Sequence, residues 1–154
     1  RGKDSVIDQI NFSNIILNEV LTPFVINSFY FCDPDGHSEY VRSKESLPVD
    51  EKTPSIKNLT FENIECKNSH YAGAFFYGLP ENKIKKIVMR NINIEFADHA
   101  QKGHPAMMDD LEEMSKIGIY AKNIEELELS NLVIKGNKGD KIIYSDIDKL
   151  ITED

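Results

Sequence analysis

Asp33, Asp35, His37 and Glu39 alternate with other residues in "CDPDGHSEY", and Asp98, His99, His104, Asp109 and Asp110 crowd "ADHAQKGHPAMMDD". Side chains of these types bind divalent cations, move protons or form ion pairs. The first group lacks the acidic residue at position twelve that a calcium-binding loop requires. His99 and His104 are five apart, which misses the i, i+4 spacing of a zinc-binding helix. There is no Cys-x-x-Cys, no glycine loop that would cradle a phosphate and no Gly-x-Ser-x-Gly elbow. The expectation is two solvated polar loops, with no metal and no cofactor.

The stretch "YAGAFFYGLPENK" from Tyr71 offers a different chemistry. Phe75 and Tyr77 share one face of an extended strand and Phe76 takes the other. Pro80 ends the strand before a turn. Core filling is one reading of these rings. The other places Tyr77, beside Gly78, at a groove where its ring stacks on a sugar.

These loops need a scaffold, and a repeated phrase supplies it. "QINFSNIIL", "NLTFENIEC", "KIVMRNINI" and "ELELSNLVI" align in five columns. Ile10, Leu59, Ile87 and Leu127 form the first; Phe12, Phe61, Met89 and Leu129 form the second. Asn14, Asn63, Asn91 and Asn131 occupy the third, followed by Ile15, Ile64, Ile92 and Leu132, then Leu17, Cys66, Ile94 and Ile134. Ile7, Ile56, Ile84 and Ile124 stand three residues before the first column, and a fifth copy begins at Ile147 and Leu150.

Alternation with period two on either side of the Asn predicts strands. The apolar residue that follows each Asn breaks the alternation and predicts a corner, where Asn tolerates left-handed backbone. Stacked copies would let the four asparagines bond one another in a ladder. A second strand follows around Val25, Phe75, Ile119 and Ile142. Anchors are 49, 28, 40 and 23 residues apart, so loops of different length are added to one basic unit. These loops span roughly 31–53 and 97–116, and "DDLEEMS" in the second is expected to form about two helical turns, with Leu111 and Met114 facing the body.

The pattern predicts an all-β, right-handed parallel β-helix of about four to five coils, with residues 1–154 expected to be the C-terminal coils of a single domain truncated at its N-terminal side. A β-sandwich also has many short strands, but it does not explain an Asn at every corner or hairpin turns missing between adjacent runs.

The 154 residues carry 26 acidic against 18 basic side chains, a formal net charge of −8, which disfavours nucleic acid as a partner. No stretch is apolar enough for a membrane span. Cys32 and Cys66 are read as reduced packing or incidental residues.

"FFYGLPE" at 75–81, "GHPAMMDDLEEMSKIGIYAKN" at 103–123 and the "NLTFENI" coils resemble the C-terminal part of polygalacturonase-type glycoside hydrolases, the pectin-degrading family 28, in its bacterial branch. The opening "RGKDSVIDQINFSNIILNEVLTPFVIN" is similar to the segment after that family's Arg-x-Lys motif. The resemblance implies inverting hydrolysis of α-linked galacturonic-acid polymers or oligomers, which needs an acid and a base on opposite sides of the sugar. It also implies that the family's Asn-x-Asp, Asp-Asp and Gly-His-Gly motifs lie upstream. Asp109-Asp110 falls in a loop that is not the catalytic pair of the resembling proteins. The expectation is therefore no catalytic residue here and an inert chain. Tyr77, His104, Arg42 and Lys44 would contribute a groove wall for a pectic carbohydrate. The first coil is expected to be open at its N-terminal side and to be covered by self-association. A non-catalytic carbohydrate-binding, adhesin-like or structural module is the alternative. The compartment is not fixed by the sequence; an extracellular or periplasmic location is favoured over a cytoplasmic one.

Overall fold

The computed structural model describes all 154 residues. Nine strands and one short helix follow the chain: β1 (Val6–Ile7), β2 (Ile10–Asn18), β3 (Phe24–Asn27), α1 (Glu39–Arg42), β4 (Ser55–Ile56), β5 (Asn58–Ser69), β6 (Ala72–Tyr77), β7 (Ile84–Phe96), β8 (Ile117–Lys135) and β9 (Ile142–Glu153). Every pairing between them is parallel. The result is a mostly-β domain built on one continuous, strongly curled parallel sheet, consistent with a β-solenoid-like architecture.

Register follows the apolar columns. Ile10 pairs with Leu59, Leu59 with Ile87, Ile87 with Leu127 and Leu127 with Leu150. The second strand of each copy stacks likewise: Val25 on Phe75, Phe75 on Tyr120 and Tyr120 on Ile143. A slip of one residue would turn each apolar set outward, so burial of one face locks the register.

Each Asn of the third column interrupts its pairing at positive φ: 57° at Asn14, 55° at Asn63, 54° at Asn91 and 46° at Asn131. The left-handed residue bends the strand, so that apolar side chains on both sides of the corner point into one core. Their amides form the ladder: Asn63 Nδ2 donates to Asn14 Oδ1 at 3.4 Å, Asn91 to Asn63 at 2.9 Å and Asn131 to Asn91 at 2.7 Å. A second rank, unforeseen in the repeats, has Asn68 Nδ2 donating to Asn18 Oδ1 at 3.0 Å. Asn123 and Asp146 make another left-handed corner within β8 and β9. Gly78 and Gly118 permit close backbone approach there. A Cβ on Gly78 would lie 2.3 Å from the Asn123 carbonyl oxygen, and one on Gly118 2.1 Å from that of Lys141.

The main core runs down the inside of the curl through Phe61, Phe76, Ile87, Met89, Ile92, Ile119 and Leu127. Cys66 is buried in it and burial pushes its thiol up to about 12, whereas Cys32 is exposed; both are free thiols. The stack is open at β1 and β2, where Ile7, Ile10 and Phe12 (44 % exposed) line a cavity of about 1550 Å³ together with Phe24 and Ile26.

One local expectation is overturned. Residues 109–115 form no helix. Asp110 takes φ 59°, and backbone bonds between Gly103 and Met114 (3.0 and 2.7 Å) fold the segment into a strap. Leu111 and Met114 nevertheless pack on the body. Two turns of helix alone are too short to be stable in water, so tertiary contacts decide the conformation. The helix that does form, α1, lies in the other loop, with Ser38 Oγ accepting from Val41 N.

Candidate functional site

The outer face of β3, β6 and β8 carries Val25, Phe75, Tyr77 and Tyr120, and both inserted segments fold over it. Phe75 and Tyr77 sit under Phe29, Leu79, Ala106 and Met108 in a second apolar cluster, while Phe76 enters the main core. Strand parity thus sorts the rings as expected. Tyr77 is only 8 % exposed; Phe29 packs edge-on to it at 5.0 Å and the Lys122 ammonium lies 5.6 Å from its ring centre. Burial, with Asp146 adding to it, raises its phenol pKa. Its ring has no open face for a sugar, because the strap covers a strand that would otherwise be a groove floor. The accessible ring here is Tyr30, 50 % exposed, whose residue bridges to Met108 of the strap. No repeat marks Tyr30; its signal was the run of three aromatics, Phe29, Tyr30 and Phe31, just after the end of β3.

The two loops meet through a histidine–carboxylate contact and an arginine–carboxylate ion pair. His37 Nδ1 lies 2.8 Å from Asp109 Oδ2, and its ring stacks on Phe31 at 4.8 Å. Arg42 donates to both oxygens of Asp110 at 3.0 and 2.5 Å, and this hydrogen bond holds the Asp110 carboxyl below the usual carboxylate range. Lys3 pairs with Asp33 at 3.2 Å and Asp35 at 3.7 Å. Lys44 donates to the Arg42 carbonyl and sits 4.5 Å over the Phe29 ring. His104 is exposed on the rim of the larger cavity, near Tyr30, Asp109 and Asp110. Arg42 and Lys44 therefore share the smaller cavity, His104 lines the larger one with Asp109 and Asp110, and Tyr77 is buried against Phe29.

A smaller cavity of about 450 Å³ is lined entirely by polar side chains: His37, Glu39, Arg42, Ser43, Lys44 and Asp110. No group of three or more His, Cys, Asp and Glu residues is arranged to hold a metal ion.

Sequence reasoning missed the anchor of this site. Arg1 is buried, donating through Nε and Nη2 to Glu81 at 2.7 and 2.8 Å, to the carbonyls of Glu45 (2.7 Å) and Tyr40 (3.3 Å), and to that of Ser43. It fixes the loop after α1 against the turn after β6. A pairing 80 residues apart leaves no local pattern to read.

No protein-family model matches the chain, and no curated protein or solved structure matches it. What fold and site define is a β-rich, curled-sheet module of a kind compatible with carbohydrate binding.

Proposed function

We propose that the chain is the C-terminal portion of a glycoside hydrolase that acts on α-linked galacturonic-acid polymers or oligomers with inversion. On this reading the stack is four to five coils of a parallel β-helix, right-handed as parallel crossovers overwhelmingly are. The observation that carries it is the in-register parallel stacking of the copies on their left-handed Asn corners. The carboxylates at the site favour a binding role over a catalytic one, since Asp110 is ion-paired with Arg42 and Asp109 is held by the His37 ring nitrogen. The chain then supplies a groove wall through Tyr30, His104, Arg42 and Lys44, with the acid and base contributed by preceding coils.

The test is hydrolysis of oligogalacturonides by the full-length gene product and by residues 1–154 in parallel, the anomer of the product followed by NMR. Activity with inversion in the first and none in the second is the expected result. An inactive full-length protein would leave the alternative, a non-catalytic β-helical carbohydrate-binding module.

The same reading makes the open end at β2 a surface covered by self-association in the isolated chain, because Ile7, Ile10 and Phe12 face solvent there. Sedimentation velocity is expected to show concentration-dependent association; a monomer at high concentration would contradict it.

A further inference from the structure

Lys44 differs from the other basic side chains at and near the small cavity. His37 faces Asp109, Arg42 faces Asp110 and Arg1 faces Glu81, but no carboxylate lies within ion-pair distance of the Lys44 ammonium. Its contacts are the Phe29 ring and one backbone carbonyl. Burial lowers its pKa, with Asp110 and Asp109 acting in the opposite direction at longer range. A half-buried ammonium without a counter-ion, opening on a polar cavity, has lost water that nothing in the protein fully replaces.

The surroundings narrow the ligand. With Arg42 paired to Asp110, the unmatched lysine and carboxylate on the cavity wall are Lys44 and Glu39. A multiply charged anion such as phosphate would meet Glu39 and Asp110 as well as Lys44. A ligand with one carboxylate and several hydroxyls suits the wall better, because those two carboxylates and the Ser43 hydroxyl accept from hydroxyl groups. The volume falls in the ~300–1,000 Å³ range of small-molecule sites.

We infer that this cavity is a subsite for a uronic-acid residue whose carboxylate pairs with the Lys44 ammonium. The inference rests on the carbohydrate reading above and adds to it which residue recognises the acid group. It also divides Arg42 from Lys44: Arg42 holds the loops together through Asp110, and Lys44 meets the ligand.

Calorimetric titration of residues 1–154 with galacturonate, galactose and inorganic phosphate tests it, alongside Lys44→Gln and Lys44→Arg. Galacturonate is expected to bind at least tenfold more tightly than galactose or phosphate. Lys44→Gln should remove that preference with its melting temperature little changed, and Lys44→Arg should keep part of it. Equal affinity for galactose and galacturonate, tighter binding of phosphate, an unaffected Lys44→Gln variant or no binding at all would each overturn the subsite. If the full-length protein hydrolyses oligogalacturonides while Lys44→Gln changes neither KM nor binding, the subsite fails and the hydrolase reading survives.

Discussion

Glu81→Ala is expected to lower the unfolding free energy by about 3–5 kcal/mol, measured by urea denaturation of residues 1–154. The Arg1 and Glu81 side chains are 0 % and 4 % exposed, so removing the acid leaves a guanidinium charge stranded away from water. Replacing both residues by apolar ones is not expected to restore stability fully. Arg1 also donates to the carbonyls of Tyr40, Ser43 and Glu45, and these acceptors would be orphaned. The pair has a pH signature too. Burial alone would raise the Glu81 carboxyl, but hydrogen bonds from Arg1 outweigh it and hold the carboxyl below its ordinary value. A depressed folded pKa means that the contribution is complete above the unfolded value of about 4.3 and is lost as pH falls through the lower, folded one. The wild type should therefore lose stability in acid more steeply than the doubly apolar variant. Equal acid sensitivity in the two would show that the pair is not what titrates.

Phe76→Ala should cost a similar amount, about 3–5 kcal/mol, for an unrelated reason. The Phe76 ring is fully buried in the main core and lies parallel to Phe61, which in turn stacks on Phe12 and meets Phe24 edge-on. Truncation opens a cavity beneath three copies of the repeat, and parallel strands fixed by hydrogen bonds above and below cannot collapse to fill it. The neighbouring substitution Tyr77→Ala is informative by contrast. It should loosen the strap and increase proteolysis between 97 and 116 while the sheet itself persists. A Phe76→Ala protein as stable as wild type, by the same urea titration, would mean that the interior is not packed as described.

The spacing of apolar residues was enough to read the sheet, its parallel sense and its register, because period two and a shared corner residue are local properties that each copy repeats. Asn14, Asn63, Asn91 and Asn131 stood out for that reason, and their amides do bond in series. Much less of the site was legible. The strap over residues 97–116 is held by Gly103, Met114 and contacts to a strand it does not adjoin in sequence, and its short apolar-acidic pattern suggested a helix that tertiary contacts override. Tyr77 was assigned its strand face correctly, yet exposure depends on what lies above that face, which is set by the strap. Arg1 and Glu81 are individually unremarkable charged residues, and only the fold makes them partners.

The asparagine ranks point one way. In each step the later copy donates its amide and the earlier one accepts, so Asn14 and Asn18 are left with amide hydrogens that no side chain of the chain receives. The stack is thus a one-way rod: a strand laid against β2 must bring an oxygen to the corner, and a lysine or an apolar side chain there would leave the row of amides unfinished.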